Sequence, residues 1–323
     1  MPGKRASAAP AEKIWRAGIF FAKKTRMRVH FLNCVSTCPL GGALMDGASR
    51  SLRARLTCTC LLVETRNELV LVDTGFGLRD VADPYSRLSK FFLFLLSPEF
   101  REESTAIRQI QRLGYDPRDV RHIVLTHLDF DHAGGLDDFP HAAVHMLAAE
   151  KSNALEQRTL LDRMRYRPQQ WERTRANWRG YGQGRGERWL GFEDACALEG
   201  LPPEILLVPL VGHTFGHAGV AIQRRQGWLL HAGDAYFFHA EMDWERPRCT
   251  AGLRFYQWMM EKDRRSRLAN QERLREVKLS KGIELFCAHD RREFEHLARK
   301  PAFERRTQPR EMAWRRALQE RLS

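Results

Sequence analysis

The stretch that decides the fold is Thr126-His-Leu-Asp-Phe-Asp-His-Ala-Gly-Gly135, in which four side chains that can bind a metal ion lie within six positions. They are His127, Asp129, Asp131 and His132. An apolar run leads into the stretch and a glycine pair ends it, which is typical of a strand followed by a ligand-rich turn. Zinc and iron bind imidazole and carboxylate, and a two-metal site needs about this many donors. The alternative is a polar turn with surface histidines, but such a local density of ligands is uncommon.

The length and composition indicate a globular protein. A chain of 323 residues holds one large domain or two small ones, and 43% apolar residues are enough for a substantial core. The longest apolar run, Phe91-Phe-Leu-Phe-Leu-Leu96, is six residues long, far short of the roughly 18 residues that span a bilayer. The N-terminus from Met1 to Lys13 lacks the apolar core of a secretion signal. We therefore expect residues 1–27 to be disordered or extended, and the protein to be cytoplasmic with no membrane span.

The net charge of +13 suits an anionic partner such as nucleic acid or a phosphorylated substrate, and it also fits an arginine-rich solvated surface. The seven cysteines are an odd number in a chain too long to need disulfides. Cys58 and Cys60 would face the same side of a strand. We interpret them as small buried residues in a reducing compartment, with a soft-metal pair as the alternative.

Hydrophobic periodicity and turn residues divide the chain into strands and helices. The predicted strands cover residues 28–35, 56–64, 69–75, 122–126, 142–147, 204–211, 220–223, 227–231 and 283–287. The predicted helices cover residues 104–113, 148–161 and 254–277. The apolar stretch 78–100 fits either a core helix or a mobile flap over a cleft. Asp73 at the end of the third strand either caps a turn or orients metal ligands.

A basic stretch interrupts the predicted core at residues 158–190. It contains nine arginines opposed by three acidic residues, with tryptophans interleaved. Arginine with aromatic residues can grip phosphates and stack on planar groups, or the stretch is an exposed helical insertion with a flexible glycine loop. We treat it as a basic helical insertion. Residues 291–323 are predicted to form a basic helical C-terminal tail.

Four strands end in polar turns that carry metal-binding side chains, and strand ends on one edge of a sandwich converge in space. The turns are His127-Leu-Asp129-Phe-Asp131-His132, Gly212-His213-Thr-Phe-Gly-His217, Gly233-Asp234-Ala235 and Ala288-His289-Asp290. With these motifs and the early Val-Asp-Thr-Gly that contains Asp73, the chain resembles the metallo-β-lactamase superfamily of metallohydrolases. The resemblance runs from about residue 28 to about residue 290, with all five motifs in order.

The resemblance implies an α+β fold over residues 28–290, a four-layer αβ/βα sandwich of two mixed β-sheets flanked by helices. It also implies two divalent metal ions, with zinc as the expected metal. The ligand sets it implies are His127, residue 129 and His213 for the first ion; Asp131, His132 and His289 for the second; and Asp234 as the bridge.

Residue 129 departs from the family pattern, because the second histidine of the first motif is Asp129 here. If this carboxylate binds the metal, the ligand set of the first site becomes harder, and its preference for a metal ion moves from zinc toward iron or manganese. If the side chain is too short to reach, the first site is weak. The metal at this position therefore stays open.

The resemblance implies that the ions lower the pKa of a bridging water and polarise the group under attack. Asp131 would orient the nucleophile or carry its proton. Tyr236, just past Asp234, would donate a hydrogen bond to the developing oxyanion, unless it is a packed core tyrosine.

The compact motifs look most like the lactonase branch of the superfamily, including N-acyl homoserine lactonases. We therefore expect a hydrolase that opens a lactone or cleaves a related carboxylic ester. The alternatives are a thioester hydrolase of glyoxalase II type, a phosphodiesterase or nuclease that uses the basic surface, and a metal-binding scaffold without enzymatic activity. The expected partner is a small-molecule substrate, with the apolar stretch 91–96 as a seat for an acyl chain and no stable nucleic-acid partner.

Overall fold

The computed structural model describes residues 27–66, 68–182, 184 and 186–299. The expectations for residues 1–26, and for the basic tail from residue 300 onward, lie outside the described residues. The strands are β1 Arg28–Asn33, β2 Thr59–Glu64, β3 Leu69–Val72, β4 Val120–Val124, β5 Ala143–Leu147, β6 Trp178–Tyr181, β7 Glu187–Trp189, β8 Phe192–Ala197, β9 Ile205–Pro209, β10 Ala218–Arg224, β11 Gly227–His231 and β12 Ile283–Phe286.

Helices connect and cover these strands. They are α1 Ala43–Asp46, α2 Leu78–Ala82, α3 Pro84–Arg87, α4 Lys90–Leu96, α5 Ala106–Arg112, α6 Phe130–Ala133, α7 Ala148–Glu156, α8 Leu160–Arg165, α9 Pro168–Trp171, α10 Ala251–Met260, α11 Arg264–Leu279 and α12 Arg291–Ala298. Short 3₁₀ helices cover Glu102–Ser104, Pro117–Asp119, Gly134–Asp138, Glu172–Asn177 and His239–Met242. No helix in the described ranges is both long and apolar enough to cross a membrane.

The described strands form two mixed sheets of six strands each, in the orders β1-β2-β3-β4-β5-β6 and β12-β11-β10-β9-β8-β7. In the first sheet, β1, β2 and β3 pair antiparallel, while β3 to β6 pair parallel. In the second sheet, β11 and β12 pair parallel and the other pairs are antiparallel. The two mixed sheets and their helices confirm the predicted sandwich.

Three apolar clusters explain the continuous apolar runs in inner strands such as β2, at residues 60–63, and β3. In β2, Leu61 and Val63 pack between the sheets against residues of β9 and β10, whereas Leu62 packs on the opposite face with Ile110 of α5. In the second sheet, the outer face packs against Leu274 of α11. A strand that is covered on both faces has no solvent-facing positions, so its sequence reads as a continuous apolar run rather than an alternating one.

The stretch 158–190 differs from the expectation of an insertion that interrupts the core. Its helices α8 and α9 lead into β6, which pairs with β5, and β7 pairs with β8, so the stretch supplies an edge strand to each sheet. Trp171, Trp178 and Trp189 are buried. The arginine-rich composition gave no indication of these two strands, because a short strand needs only a few apolar residues on its inner face.

Two other predictions change in detail. The apolar stretch 78–100 forms the three short helices α2, α3 and α4 rather than one core helix. The predicted helix 254–277 is divided into α10 and α11, and the Asp263 side chain accepts a hydrogen bond from the Ser266 backbone N–H at the start of α11. Cys58 and Cys60 are buried free thiols, as predicted.

Candidate metal centre

The structure brings the seven side chains predicted as metal ligands into one buried cluster at the ends of the strands. Their donor atoms form three groups, each with members within 4.8 Å of one another. The groups are His127, Asp129 and His213; Asp131, His132 and His289; and His127, His132 and Asp234. We call the first group the first position and the second group the second position. The binding of a metal ion by these residues stays a prediction.

The second position has the geometry of a ligand set. The Nε2 atoms of His132 and His289 are 3.3 Å apart, and Asp234 Oδ1 lies 3.3 Å from the former and 3.2 Å from the latter. Asp131 Oδ2 lies 3.7 Å from His289 Nε2. These atoms face one another around a common point. The mixture of imidazole and carboxylate suits zinc, iron or manganese.

Hydrogen bonds fix the orientation of both histidines of the second position. The Nδ1 atom of His132 lies 2.9 Å from Asp73 Oδ2, and the Nδ1 atom of His289 lies 2.7 Å from the Thr57 carbonyl oxygen. Each acceptor favours the tautomer with the proton on Nδ1, which leaves the Nε2 lone pair free for a cation. The donor set of the second position therefore fits a divalent metal ion.

Asp73 organises the ligand turn that follows the neighbouring strand β4. Its Oδ1 accepts a hydrogen bond from the Thr126 backbone N–H at 2.7 Å, and its Oδ2 accepts one from the Thr126 hydroxyl, also at 2.7 Å. The same hydroxyl lies 2.9 Å from His127 Nδ1. Burial opposes the charge of Asp73, but His132 and its hydrogen bond hold the pKa of this carboxyl below its usual value. Asp73 therefore orients His127 and His132, in addition to ending a strand.

Three buried atoms of the cluster, His213 Nδ1 among them, make no hydrogen bond among the described residues, and two of the three, His127 Nε2 and Asp234 Oδ1, lie among the other donors. A buried polar atom without a partner costs free energy unless another ligand satisfies it. Both atoms face other metal-binding donors, since His127 Nε2 lies 3.4 Å from Asp129 Oδ2 and 3.8 Å from Asp234 Oδ2. A cation among these atoms would satisfy them.

The first position contains a residue that the sequence did not predict there. Arg165, at the end of α8, is fully buried and forms a two-pronged ion pair with Asp129, with Nε 2.6 Å from Oδ1 and Nη2 2.6 Å from Oδ2. Burial alone would raise the pKa of the Asp129 carboxyl, but the Arg165 guanidinium holds it well below its usual value. Asp129 is therefore ionised and already paired with a cation of the protein itself.

Two histidines next to the ligands hold the second-sheet turn by hydrogen bonds. The Nδ1–H of His217 donates to the Leu210 carbonyl at 2.8 Å, and its Nε2 accepts from the Asp234 backbone N–H at 2.9 Å. The Nε2–H of His231 donates to the Thr59 carbonyl at 2.9 Å. These contacts position the aspartate of the Gly-Asp-Ala motif rather than adding ligands.

Glu150 of α7 links two ligand turns and was not predicted. Its buried carboxylate accepts hydrogen bonds from the Leu128 backbone N–H at 2.9 Å and from the Thr214 hydroxyl at 2.5 Å. The turn of Thr214 approaches α7 so closely that a Cβ at Gly216 would lie 2.0 Å from the Glu150 nitrogen. Only glycine fits at that contact, which explains the glycine in Gly-His-Thr-x-Gly-His.

Tyr236 does not face the donor cluster. Its buried hydroxyl donates to the Glu293 carboxylate, at 3.0 Å from Oε2, and its ring belongs to the core outside the second sheet. The next residue, Phe237, stacks on the His289 ring with centroids 5.1 Å apart. The chain direction after β11 thus places Phe237 at the site and Tyr236 in the core. Tyr236 is therefore a packed core tyrosine, which was the alternative to its role as a hydrogen-bond donor to the oxyanion.

A different tyrosine, Tyr256 of α10, lies beside the ligands. It lines a narrow cavity of about 10 Å³ together with Asp131, His289, Phe237 and others. Burial raises the pKa of the Tyr256 phenol well above its usual value, and the nearby carboxylates, Asp131 first, raise it further. The phenol is therefore protonated and available as a hydrogen-bond donor. Sequence patterns offered no signal for it, because it lies on an ordinary amphipathic helix.

A larger cavity of about 540 Å³ adjoins the narrow one, and Leu56, Phe237 and His289 line both. Its wall includes the apolar side chain of Leu253 and basic residues such as Arg292. The remaining lining residues are Asp46, Gly47, Ala48, Ser49, Arg55, Phe238, His239, Asp290, Arg291 and Glu295. From the apolar stretch 91–96, Leu96 lines the narrow cavity, whereas Phe91 and Phe94 are exposed.

Comparison with known proteins agrees with this arrangement. The sequence profile of the metallo-beta-lactamase superfamily matches residues 53–273. A protein of Mycobacterium tuberculosis named as a probable metallo-hydrolase is 41% identical over 271 residues, which cover 83% of this chain and 82% of the relative. An N-acyl homoserine lactonase of a Bacillus species is 25% identical over 240 residues, which cover 72% of this chain and 80% of the relative.

Solved structures share the fold. A mutant of AiiA from B. thuringiensis with N-decanoyl-L-homoserine at its active site has a TM-score of 0.63 at 22% identity, covering 84% of this chain and 96% of that one. An N-acyl homoserine lactone hydrolase with its product, N-hexanoyl-L-homoserine, at the catalytic metal centre also has a TM-score of 0.63, at 23% identity and the same coverage of both chains. The profile match, the mycobacterial relative and the shared fold establish that this chain belongs to the metallo-beta-lactamase superfamily.

Proposed function

We propose that the chain is a metal-dependent hydrolase that opens a lactone or cleaves a related carboxylic ester. The observation that carries the proposal is the second position, where His132 and His289 turn their free Nε2 atoms toward the carboxylates of Asp131 and Asp234. Together with the first position, the site gathers seven imidazole and carboxylate side chains in three overlapping groups. Zinc is the expected metal, and Asp129 adds iron and manganese as alternatives.

A bound divalent cation would lower the pKa of a coordinated water toward neutrality and polarise the carbonyl under attack. Among the residues of this chain, Asp131 borders the cavity and is placed to orient the attacking water and accept its proton. Tyr256 lines the same cavity and is placed to donate a hydrogen bond to the carbonyl oxygen as negative charge develops. Leu96 and Phe237 give the same cavity an apolar wall.

The preference for a lactone or carboxylic ester rests on two observations. The lactonase relative is 25% identical to this chain over 72% of its length, and the product-bound lactone hydrolase shares the fold over 84% of it. The cavity beside His289 has an apolar wall formed by Leu56, Phe237 and Leu253, which suits an acyl group. The charged residues of the cavity are three arginines and three acidic residues, and Arg291 is paired with Glu295 at 2.7 Å, so the charge of the wall does not distinguish a carboxylic ester from a thioester or phosphodiester.

A substrate screen before and after metal removal tests the proposal. Purified protein is treated with a chelator, reloaded with zinc or manganese, and assayed on lactones, thioesters and phosphodiesters with proton release as the signal. We expect lactone or ester opening that disappears with the metal and returns on reloading. Equal activity of the metal-free and reloaded forms on every compound would refute the hydrolase. Activity on phosphodiesters alone, with DNA binding at low salt, would favour the nuclease instead.

Tyr256 provides a sharper test of the catalytic geometry. The variant Tyr256→Phe keeps the ring that packs against Phe237, with centroids 5.6 Å apart, and removes only the hydroxyl. We expect kcat to fall about a hundredfold with a small change in KM, since loss of one oxyanion donor acts on the transition state. Steady-state kinetics on the best substrate of the screen measure this.

Tyr236→Phe is the matched control, because Tyr236 donates to Glu293 outside the cavity. We expect kcat to stay within a few-fold of wild type while the free energy of unfolding falls by about 1 kcal/mol, since the Glu293 carboxylate loses a hydrogen-bond donor. If kcat falls strongly for Tyr236→Phe and stays at the wild-type value for Tyr256→Phe, then Tyr236 and not Tyr256 is the hydrogen-bond donor to the substrate.

A further inference from the structure

The Arg165 side chain lies among the donors of the first position. Its Nη2 atom is 2.6 Å from Asp129 Oδ2 and 2.9 Å from His213 Nε2, which are two of the three donor groups of that position. Its Nη1 donates to the Met260 carbonyl oxygen at 2.9 Å. The guanidinium is fully buried and held by charge and hydrogen bonds on three sides. It therefore belongs to the packed interior rather than to the surface.

His213 has no lone pair left on Nε2 for a metal ion. If the Nε2 atom is unprotonated, its lone pair accepts the Arg165 Nη2–H at 2.9 Å. If it is protonated, it donates to Asp129 Oδ2 at 3.0 Å. A neutral imidazole nitrogen offers one lone pair or one proton, so either tautomer prevents Nε2 from binding a cation. The carboxylate of Asp129 is likewise engaged on both oxygens.

The positive charge of Arg165 also argues against a metal ion at the first position. A divalent cation at the first position would lie beside a buried guanidinium, and like charges at such short distances repel strongly where water is excluded. The second position has no cationic side chain among its donors Asp131, His132, His289 and Asp234. The Nε2 atoms of His132 and His289 lie 3.3 Å apart, and because Asp73 and Thr57 hold the Nδ1 protons of the two rings, these Nε2 atoms face each other as lone pairs that a cation would satisfy. The first position as it stands does not fit a metal ion, whereas the second does.

From this difference we infer that Arg165 takes the place of the first metal ion, so that the protein holds one divalent cation, at the second position, with the guanidinium as the second positive charge of the site. Arg165 is then a positioning residue that fixes Asp129 and His213. This inference rests on the proposed function, since it assigns the occupancy of the same site. It concerns how many ions bind, which can be measured without any substrate.

Metal counting on the holoprotein tests the inference. Wild type, Arg165→Ala and the control Arg163→Ala are loaded with excess zinc, desalted and analysed by elemental mass spectrometry. Arg163 lies on the same helix with an exposed side chain. We expect about one zinc per chain for wild type and Arg163→Ala, and about two for Arg165→Ala, because removal of the guanidinium frees Asp129 and His213.

Manganese loading gives a second readout, in which the wild-type spectrum alone can overturn the inference whether or not the variants fold. We expect wild type to give the electron paramagnetic resonance spectrum of an isolated ion, and Arg165→Ala to give that of two neighbouring, spin-coupled ions. Arg165→Lys keeps the buried positive charge and is expected to bind about one ion, like wild type. Two ions or a coupled spectrum in wild type would overturn the inference, as would a single ion in folded Arg165→Ala.

The outcomes separate this inference from the proposed function. Two ions in wild type, with metal-dependent ester opening, would leave the hydrolase intact and remove only the role of Arg165. One ion in wild type and two in Arg165→Ala, with no hydrolysis of any compound in the screen, would support the occupancy and refute the hydrolase.

Discussion

The Asp234→Ala variant is expected to lose most of its bound metal and to hydrolyse substrate at least about a thousandfold more slowly, a loss of about 4 kcal/mol of transition-state stabilisation. Asp234 Oδ1 lies within 3.3 Å of His132 Nε2 and within 3.2 Å of His289 Nε2. Its Oδ2 lies 3.5 Å from His213 Nε2. No other carboxylate in the described residues reaches both positions, so its removal affects every cation that the site could hold.

Metal content and kcat/KM measured on the same preparation decide this prediction. Asp243→Ala serves as the control, since Asp243 is an exposed aspartate nine residues further along the chain. It should retain wild-type metal content and activity. An Asp234→Ala protein with full metal content and near-wild-type activity would show that the cluster is not the catalytic centre.

The second large effect is expected for Asp73→Asn, a substitution at a residue that contacts His132 but lines neither cavity. Asp73 accepts three hydrogen bonds through two buried oxygens, and an amide offers only one acceptor oxygen. We expect the free energy of unfolding to fall by about 3 kcal/mol and metal affinity to fall about 10- to 100-fold, because the orientation of His132 is lost. Asparagine is chosen because Asp73 has a φ of 53°, which this residue tolerates.

Asp194→Asn is a matched control, because Asp194 has a φ of 59° and accepts a hydrogen bond from the Gly184 backbone N–H outside the site. Urea unfolding and competition with a chelator measure stability and metal affinity. We expect Asp194→Asn to leave metal affinity unchanged. Equal metal affinity for Asp73→Asn and wild type would mean that Asp73 only ends its strand and does not orient the ligand.

The replacement of histidine by aspartate at position 129 becomes understandable through Arg165. An imidazole pairs poorly with a guanidinium, whereas a carboxylate matches its two parallel N–H groups. The sequence alone offered two readings of Asp129, as a harder metal ligand or as a side chain too short to reach. The structure adds a third, an anion already neutralised inside the protein, and the metal count distinguishes among them.

Local chemistry explains why the ligand turns could be recognised from the sequence. Each ligand of the cluster follows an apolar run within a few residues, and a strand end fixes where such a side chain lies. Parallel pairing of β3 and β4 then brings Asp73 next to Thr126, and the same logic brings His289 to the edge where Asp234 lies. These relations depend on strand order and alternation, which the residues themselves encode.

The sequence by itself therefore determined the strand ends and the turns that carry metal-binding side chains, because donor chemistry and strand patterns are short-range properties, and its resemblance to the metallo-β-lactamase superfamily implied the two-sheet sandwich and the seven donors. Only the tertiary structure decided what surrounds those donors. Arg165 reaches Asp129 across 36 positions of sequence, and Tyr256 rather than Tyr236 borders the cavity. Such contacts depend on how helices pack over the sheet edge and on which way a turn leaves a strand. Both are set by the sum of many weak interactions across the whole core, and no local pattern records them.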